Sequence, residues 1–491
     1  MRKFLLTLML SGVPFYVQAE PLNKEINILN KIGYGATEKS LNLIQDKGYK
    51  KWIVEQLENP FLYDDSKIEE KYKFPVTNEE LFEDYKKHDF VIGNSTSEYS
   101  FGKEGVVIRS LMKRASYAIN SENRIREMMV WFWFNHFNIG VYTNHVSDIF
   151  LNDYENKIRE KSLGNFKDLL KMVSHHPSML YYLNNSQNRL IEDKEDPTYG
   201  LNENYAREFL ELHTLGVNGG YTQKDVEELT RILTGYTFIH FIDYDKKIKN
   251  WDNISYADMK KIIEKNEGQN EYILNDFFLF RGEYHDYGTK ELLGHKIEGT
   301  GFNELDKVIN IVAENPKTAE FLSKKIAVYL MGDNPSETIL NKMKERYLDS
   351  HGDIAETIKP LLLSNEFLSS NNKVKDTYTF VLSGLKSTIK NNPIENRDIN
   401  SWLVSFLIYI EADPYFKNTP EGFSIYGKDW LSTARLHENI FYTINLVNRH
   451  STTYKNEYPI NYQWLSKLAN KKINTPIEAV KFLTSEEWIK R

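Results

Sequence analysis

From Met128 to Phe134 the chain reads Met-Met-Val-Trp-Phe-Trp-Phe, apolar on every face that a helix presents. A helix of that kind offers no side to water and has to lie inside a domain. Other segments carry the ordinary one-sided helical spacing. Thr37 is placed to cap a helix running to Leu57, behind a Gly33-Tyr34-Gly35 turn. Helical patterns follow at 106–137, 165–183, 203–216, 223–235, 321–368 and 430–447. Strict alternation is scarce, and there is no strand–helix–strand rhythm, Gly-rich phosphate loop or internal repeat. The expected fold is all-α: a single large multi-helical domain spanning 20–491, with a polar central cleft and minor β at most. The 491 residues are enough for one such domain. Residues 58–100 read as polar loop, with Pro60, Pro75 and Gly93-Asn94-Ser95. Residues 241–277, rich in Lys, Asp, Asn and Glu, read as a surface insertion.

The first residues point to export. Arg2 and Lys3 precede an apolar run from Phe4 to Val13, and Val17-Gln18-Ala19 supplies the small residues of a cleavage site. Residues 1–19 are expected to be a signal peptide, too short for a membrane span. No later stretch approaches the ~18 apolar residues of such a span. The mature chain is therefore expected in the periplasm or outside the cell, without a transmembrane segment. The chain has no cysteine, which excludes disulfides and thiol catalysis. The net charge of −7 disfavours nucleic acid as a partner. With 12 His and no Cys, imidazole and carboxylate are the strong metal ligands available.

Several strings occur together in a fixed order. They are Ile32-Gly33-Tyr34-Gly35-Ala36-Thr37, Trp133-Phe134-Asn135-His136-Phe137, Gly164 to Leu170, Asn188-Arg189, and Asn202 to Glu208 continuing through Glu211-Leu212 to Gly216. Tyr221-Thr222, Leu233 to Tyr236, His285-Asp286 and Leu293-Gly294 follow. This set resembles the bacterial DUF1800 family over about residues 28–447. The resemblance implies an exported, mostly helical domain without an assigned reaction. It also implies a partner, a second exported protein similar to sulfatases or alkaline phosphatases. The chain departs from the family pattern at Asn184, where Asp is usual, and at His213, where an aromatic is usual. Gly422-Phe423 stands for the usual Gly-Trp.

Three clusters could carry chemistry. Asn135 and His136 end the apolar helix, and buried polar groups need partners. Their plain reading is a helix cap and a satisfied core histidine. On 202–216, Tyr205, Phe209 and Leu212 form one apolar stripe. Asn204, Glu208 and Glu211 form a second, with Arg207 beside it. That second stripe is either solvent decoration with an Arg207–Glu211 pair, or paired carboxylates for acid–base work or a divalent cation. His285 and Asp286 precede a Tyr287-Gly288 turn, with Lys290 beyond. Asp286 there either closes the turn or serves a site. The expected catalytic set is His136, Arg207, Glu208, Glu211, His285 and Asp286. The expected binding set is Asn135, Asn188, Arg189, Asn202, Asn204 and Lys290. The leading expectation is a hydrolase-like exported enzyme acting on an envelope or extracellular polymer. The rival is a non-catalytic glycan- or protein-binding assembly factor. His136 is expected to face the Asn204–Glu208–Glu211 stripe across one pocket.

Overall fold

The computed structural model describes residues 24–490, except 76, 88–104, 144, 191–199, 240–252, 268–271, 371–372 and 391–396. The signal-like residues 1–19 lie outside the described residues, as do parts of 58–100 and 241–277. The described chain is mainly helical, in line with the spacing of its apolar residues. Among the described residues, no helix is long and apolar enough to cross a membrane.

The apolar helix occupies Arg124–His136, and all of its residues are buried. Helices Tyr49–Glu58, Val106–Asn120 and His145–Lys161 pack around it. Most buried apolar side chains from Ile26 to Trp488 join into one connected core, and Ile68, Tyr72 and Tyr117 form a small second cluster. Burying the Arg124–His136 helix also buries its charged first turn, and each charge there is paired. Arg126 meets Asp65 and Glu127, Arg159 meets Glu127 and Glu155, and Arg114 meets Glu155, at 2.5 to 3.1 Å.

Two segments depart from expectation. The stretch read as loop contains helices Ser66–Lys71 and Asn78–Lys87. The second starts with a reciprocal cap: Thr77 Oγ1 accepts from the Glu80 amide, and Glu80 Oε2 accepts from the Thr77 amide. That Thr-x-x-Glu signature was present in the sequence. Residues 241–277 are also more than a solvated excursion. Helix Tyr256–Glu267 buries Met259. Strand β2 (Tyr272–Asn275) pairs antiparallel with β3 (Phe278–Arg281), which in turn pairs with β1 (Tyr236–Phe238). A hairpin of β4 (Lys290–Leu292) and β5 (His295–Ile297) completes the β-structure of the described residues.

Candidate functional site

The segment read as one helix from 203 to 216 changes form within its length. It is α-helical over Asn204–Leu210 and π-helical over Glu211–Leu215, and Gly216 ends it at φ 80°. A π-turn inserts one residue into the helical repeat and frees main-chain groups. Thr214 answers one of them, its hydroxyl donating to the Phe209 carbonyl at 2.7 Å. The extra residue also shifts the inward stripe. Tyr205 and Phe209 point inward as expected, but His213 is the third buried member, whereas Leu212 is only half-buried.

That shift brings His213 to His136. His136 Nε2 lies 3.1 Å from the His213 carbonyl oxygen, which can only accept, so Nε2 carries the proton. Nδ1 is left as an acceptor, and Lys325 Nζ donates to it at 2.9 Å. Burial, reinforced by the Lys325 charge and by His213, holds His136 well below the usual histidine range. Burial, with Lys325 again, pushes His213 down to about 3. Burial brings Lys325 down to about 8. Both imidazoles are thus neutral, and at the centre the Lys325 nitrogen is hydrogen-bonded to a tautomer fixed by a backbone carbonyl. Lys325, on helix Pro316–Met331, was missed in the sequence, since nothing local distinguishes it from Lys324.

The glutamates lie on the half-buried side of the same segment. Burial, then the negative charges of Glu211 and Glu421, raise the Glu208 carboxyl above its ordinary range against the pull of Arg207. Glu211 accepts from the Tyr221 hydroxyl at 2.7 Å. Arg207 does not pair with Glu211. Its guanidinium donates to Glu203 at 3.0 Å and Gln223 at 2.9 Å. Tyr221 occupies Glu211, and Glu203 lies one α-turn before Arg207, the favoured order for such a pair. Asn204 is exposed and its amide is held by Asn202 Oδ1, so the expected stripe reduces to Glu208 and Glu211. His136 touches this segment through the His213 carbonyl rather than through either carboxylate.

The third cluster is a separate, buried knot. His285 Nε2 lies 3.1 Å from Glu304 Oε1, and Lys290 Nζ lies 2.7 Å from Glu304 Oε2. Burial opposes charge on Glu304, but hydrogen bonds from His285 and Lys290 hold its carboxyl below the usual range. Asp286 closes the turn, accepting from the Gly288 amide at 2.7 Å, and takes a two-pronged bond from Arg231. It shares no hydrogen-bond partner with His136 among the described residues.

Several residues expected to bind ligand also make contacts within the fold. Asn135 bonds both main-chain groups of Phe423, at 2.8 and 2.7 Å. Asn188 donates to the Thr230 carbonyl and accepts from the Asn202 amide. Arg189 lies over the Tyr284 ring at 4.2 Å. One open groove of about 480 Å³, lined by Gly220, Thr222, Asp225, Glu291 and Lys317 among others, contains none of the expected residues. Among the described residues, no group of three or more His, Asp or Glu is placed to hold a metal ion.

A family model described as "Protein of unknown function (DUF1800)" matches residues 27–485. No curated protein and no solved structure matches the chain.

Proposed function

We propose that this chain, which belongs to the DUF1800 family, is an exported enzyme that hydrolyses an envelope or extracellular polymer by acid–base chemistry. The observation that carries the reading is Glu208, a half-buried carboxyl raised by burial and by Glu211 and Glu421. A carboxyl that burial and neighbouring carboxylates make hold its proton more tightly is suited to protonate a leaving group, while a second carboxylate accepts a proton from water. Glu208 takes the acid role and Glu211, steadied by Tyr221, the base role. The family resemblance adds an exported sulfatase- or phosphatase-like protein as partner.

Protein lacking residues 1–19 would be incubated with peptidoglycan and with exported polysaccharide, and newly released chain ends counted. Glu208→Gln should lower the rate by about 10²–10⁴-fold at an unchanged melting temperature. An inert wild type, or a fully active Glu208→Gln, overturns the reading.

A further inference from the structure

Five other buried lysines of this fold meet oxygen acceptors. Lys290 meets Glu304 at 2.7 Å, and Lys113 meets Glu69 at 2.8 Å. Lys386 donates to the carbonyls of Gly33 and Ala118, both at 3.0 Å. Lys373 donates to that of Ile425 at 3.1 Å, and Lys31 to that of Ser370 at 3.0 Å. Lys325 is different. Among the described residues its Nζ has one hydrogen-bond partner, the neutral His136 Nδ1 at 2.9 Å, and no carboxylate pairs with it. The Phe321 ring lies 5.2 Å from the nitrogen. An amine with an imidazole base and an aromatic wall, but no counter-charge, is set up as a nucleophile rather than as half of an ion pair.

We propose that Lys325 is a carbonyl-reactive amine that forms an imine with an aldehyde, with His136 as its proton acceptor and donor. This chemistry goes beyond the hydrolysis assigned to Glu208. Lys325 passes its extra proton to His136 Nδ1. The freed Nζ lone pair attacks the aldehyde carbon, and one N–H proton moves to the oxygen, giving a carbinolamine. His136 returns its proton to that hydroxyl, water leaves, and a protonated C=N bond remains. The balance is ammonium plus aldehyde giving iminium plus water, with His136 regenerated. The His136 Nε2–H bond to the His213 carbonyl keeps Nδ1 turned toward Lys325 throughout. Among the described residues, the titratable groups facing the amine are His136 and His213, both neutral. Small free aldehydes and the open-chain ends of reducing sugars share this carbonyl chemistry.

The native protein supplies its own control, because Lys324 is exposed on the same helix. Protein is treated with propanal or with glucose, each with cyanoborohydride, and lysine alkylation is followed by peptide mass spectrometry. At pH 7 Lys325 should be alkylated about tenfold faster than Lys324 or more, since more of it is unprotonated. Its rate should level off above about pH 8, the value to which burial brings this amine. Faster labelling by propanal alone assigns a small aldehyde, and faster labelling by glucose as well assigns a sugar end. Labelling of Lys325 no faster than Lys324 with both reagents overturns the proposal. That result would leave the Glu208 reading intact, because the assay scores no hydrolysis.

Discussion

Lys31 lies in the first described helix with no exposure, its ammonium turned to the carbonyls of Phe367 and Ser370. Burial lowers it from 10.5 to about 7. For a base whose pKa falls on folding, the unfolded chain holds a proton that the folded chain lacks between the two values. Stability should therefore rise as pH increases from about 7 towards 10.5, and below about 7 the full cost of burying the charge is present. Lys31→Met should flatten that slope by about one proton, or about 1.4 kcal/mol per pH unit, in urea titrations at pH 7.5 and 9. An unchanged slope would place the proton elsewhere. His213 teaches a different lesson at this scale. As an isolated departure from the family pattern it carried little weight in the sequence, yet its carbonyl and ring complete the surroundings of His136.

At the scale of elements, the end of helix Arg124–His136 is joined to the loop before Phe423. Asn135 clasps the Phe423 main chain, and Asn138 donates to the carbonyls of Lys417 and Thr419. Gly422 makes the close approach possible: its φ is 68°, and an added Cβ would fall 2.4 Å from the Asn135 carbonyl oxygen. Gly422→Ala should thus destabilise by more than the ~1 kcal/mol expected of a backbone effect alone. Asn135→Ala should cost roughly 1–3 kcal/mol, because it leaves part-buried main-chain groups of Phe423 unpaired. Both are read from chemical denaturation. A double mutant costing the plain sum of the two would mean that the contacts are independent. The loop also carries Glu421, so either change should lower Glu208 toward its ordinary range.

Across the whole molecule, the buried paired charges around Glu155 and Glu127 tie three helices together. Glu155 accepts from Arg114, Arg159 and the Tyr415 hydroxyl. Burial opposes its charge, but the two arginines hold its carboxyl down to about 2. A depressed carboxylate stabilises the fold above its unfolded value and loses that contribution as pH falls through the folded one. Stability should decline from about pH 4.5 to about 2 on this account. Glu155→Ala should cost about 3–5 kcal/mol by leaving Arg114 buried and uncompensated and Arg159 with Glu127 alone, measured as the loss of unfolding free energy at pH 7. Export is the other proposal that concerns the entire chain. Mass spectrometry of protein from the native envelope should find Glu20 as the first residue, and an intact Met1 would refute the proposal of cleavage after Ala19.

The helical architecture was legible because apolar spacing records which faces are buried, and a helix with no polar face admits one location. The Thr37 cap and the Gly216 stop were legible for a similar reason, since they are short-range and use local backbone chemistry. The family was legible because its strings are long and ordered. What the sequence left open depends on which surfaces meet. That Asp286 closes a turn depends on the Gly288 amide, and its pairing with Arg231 depends on helix Gln223–Ile232 packing beside it. The π-turn was invisible, because one extra residue in a helical repeat leaves no compositional trace, yet it turned His213 inward in place of Leu212. Lys325 lies 189 positions from His136. Only the packing of their two helices makes them neighbours, and only the burial that packing imposes makes an ordinary lysine an unusual one.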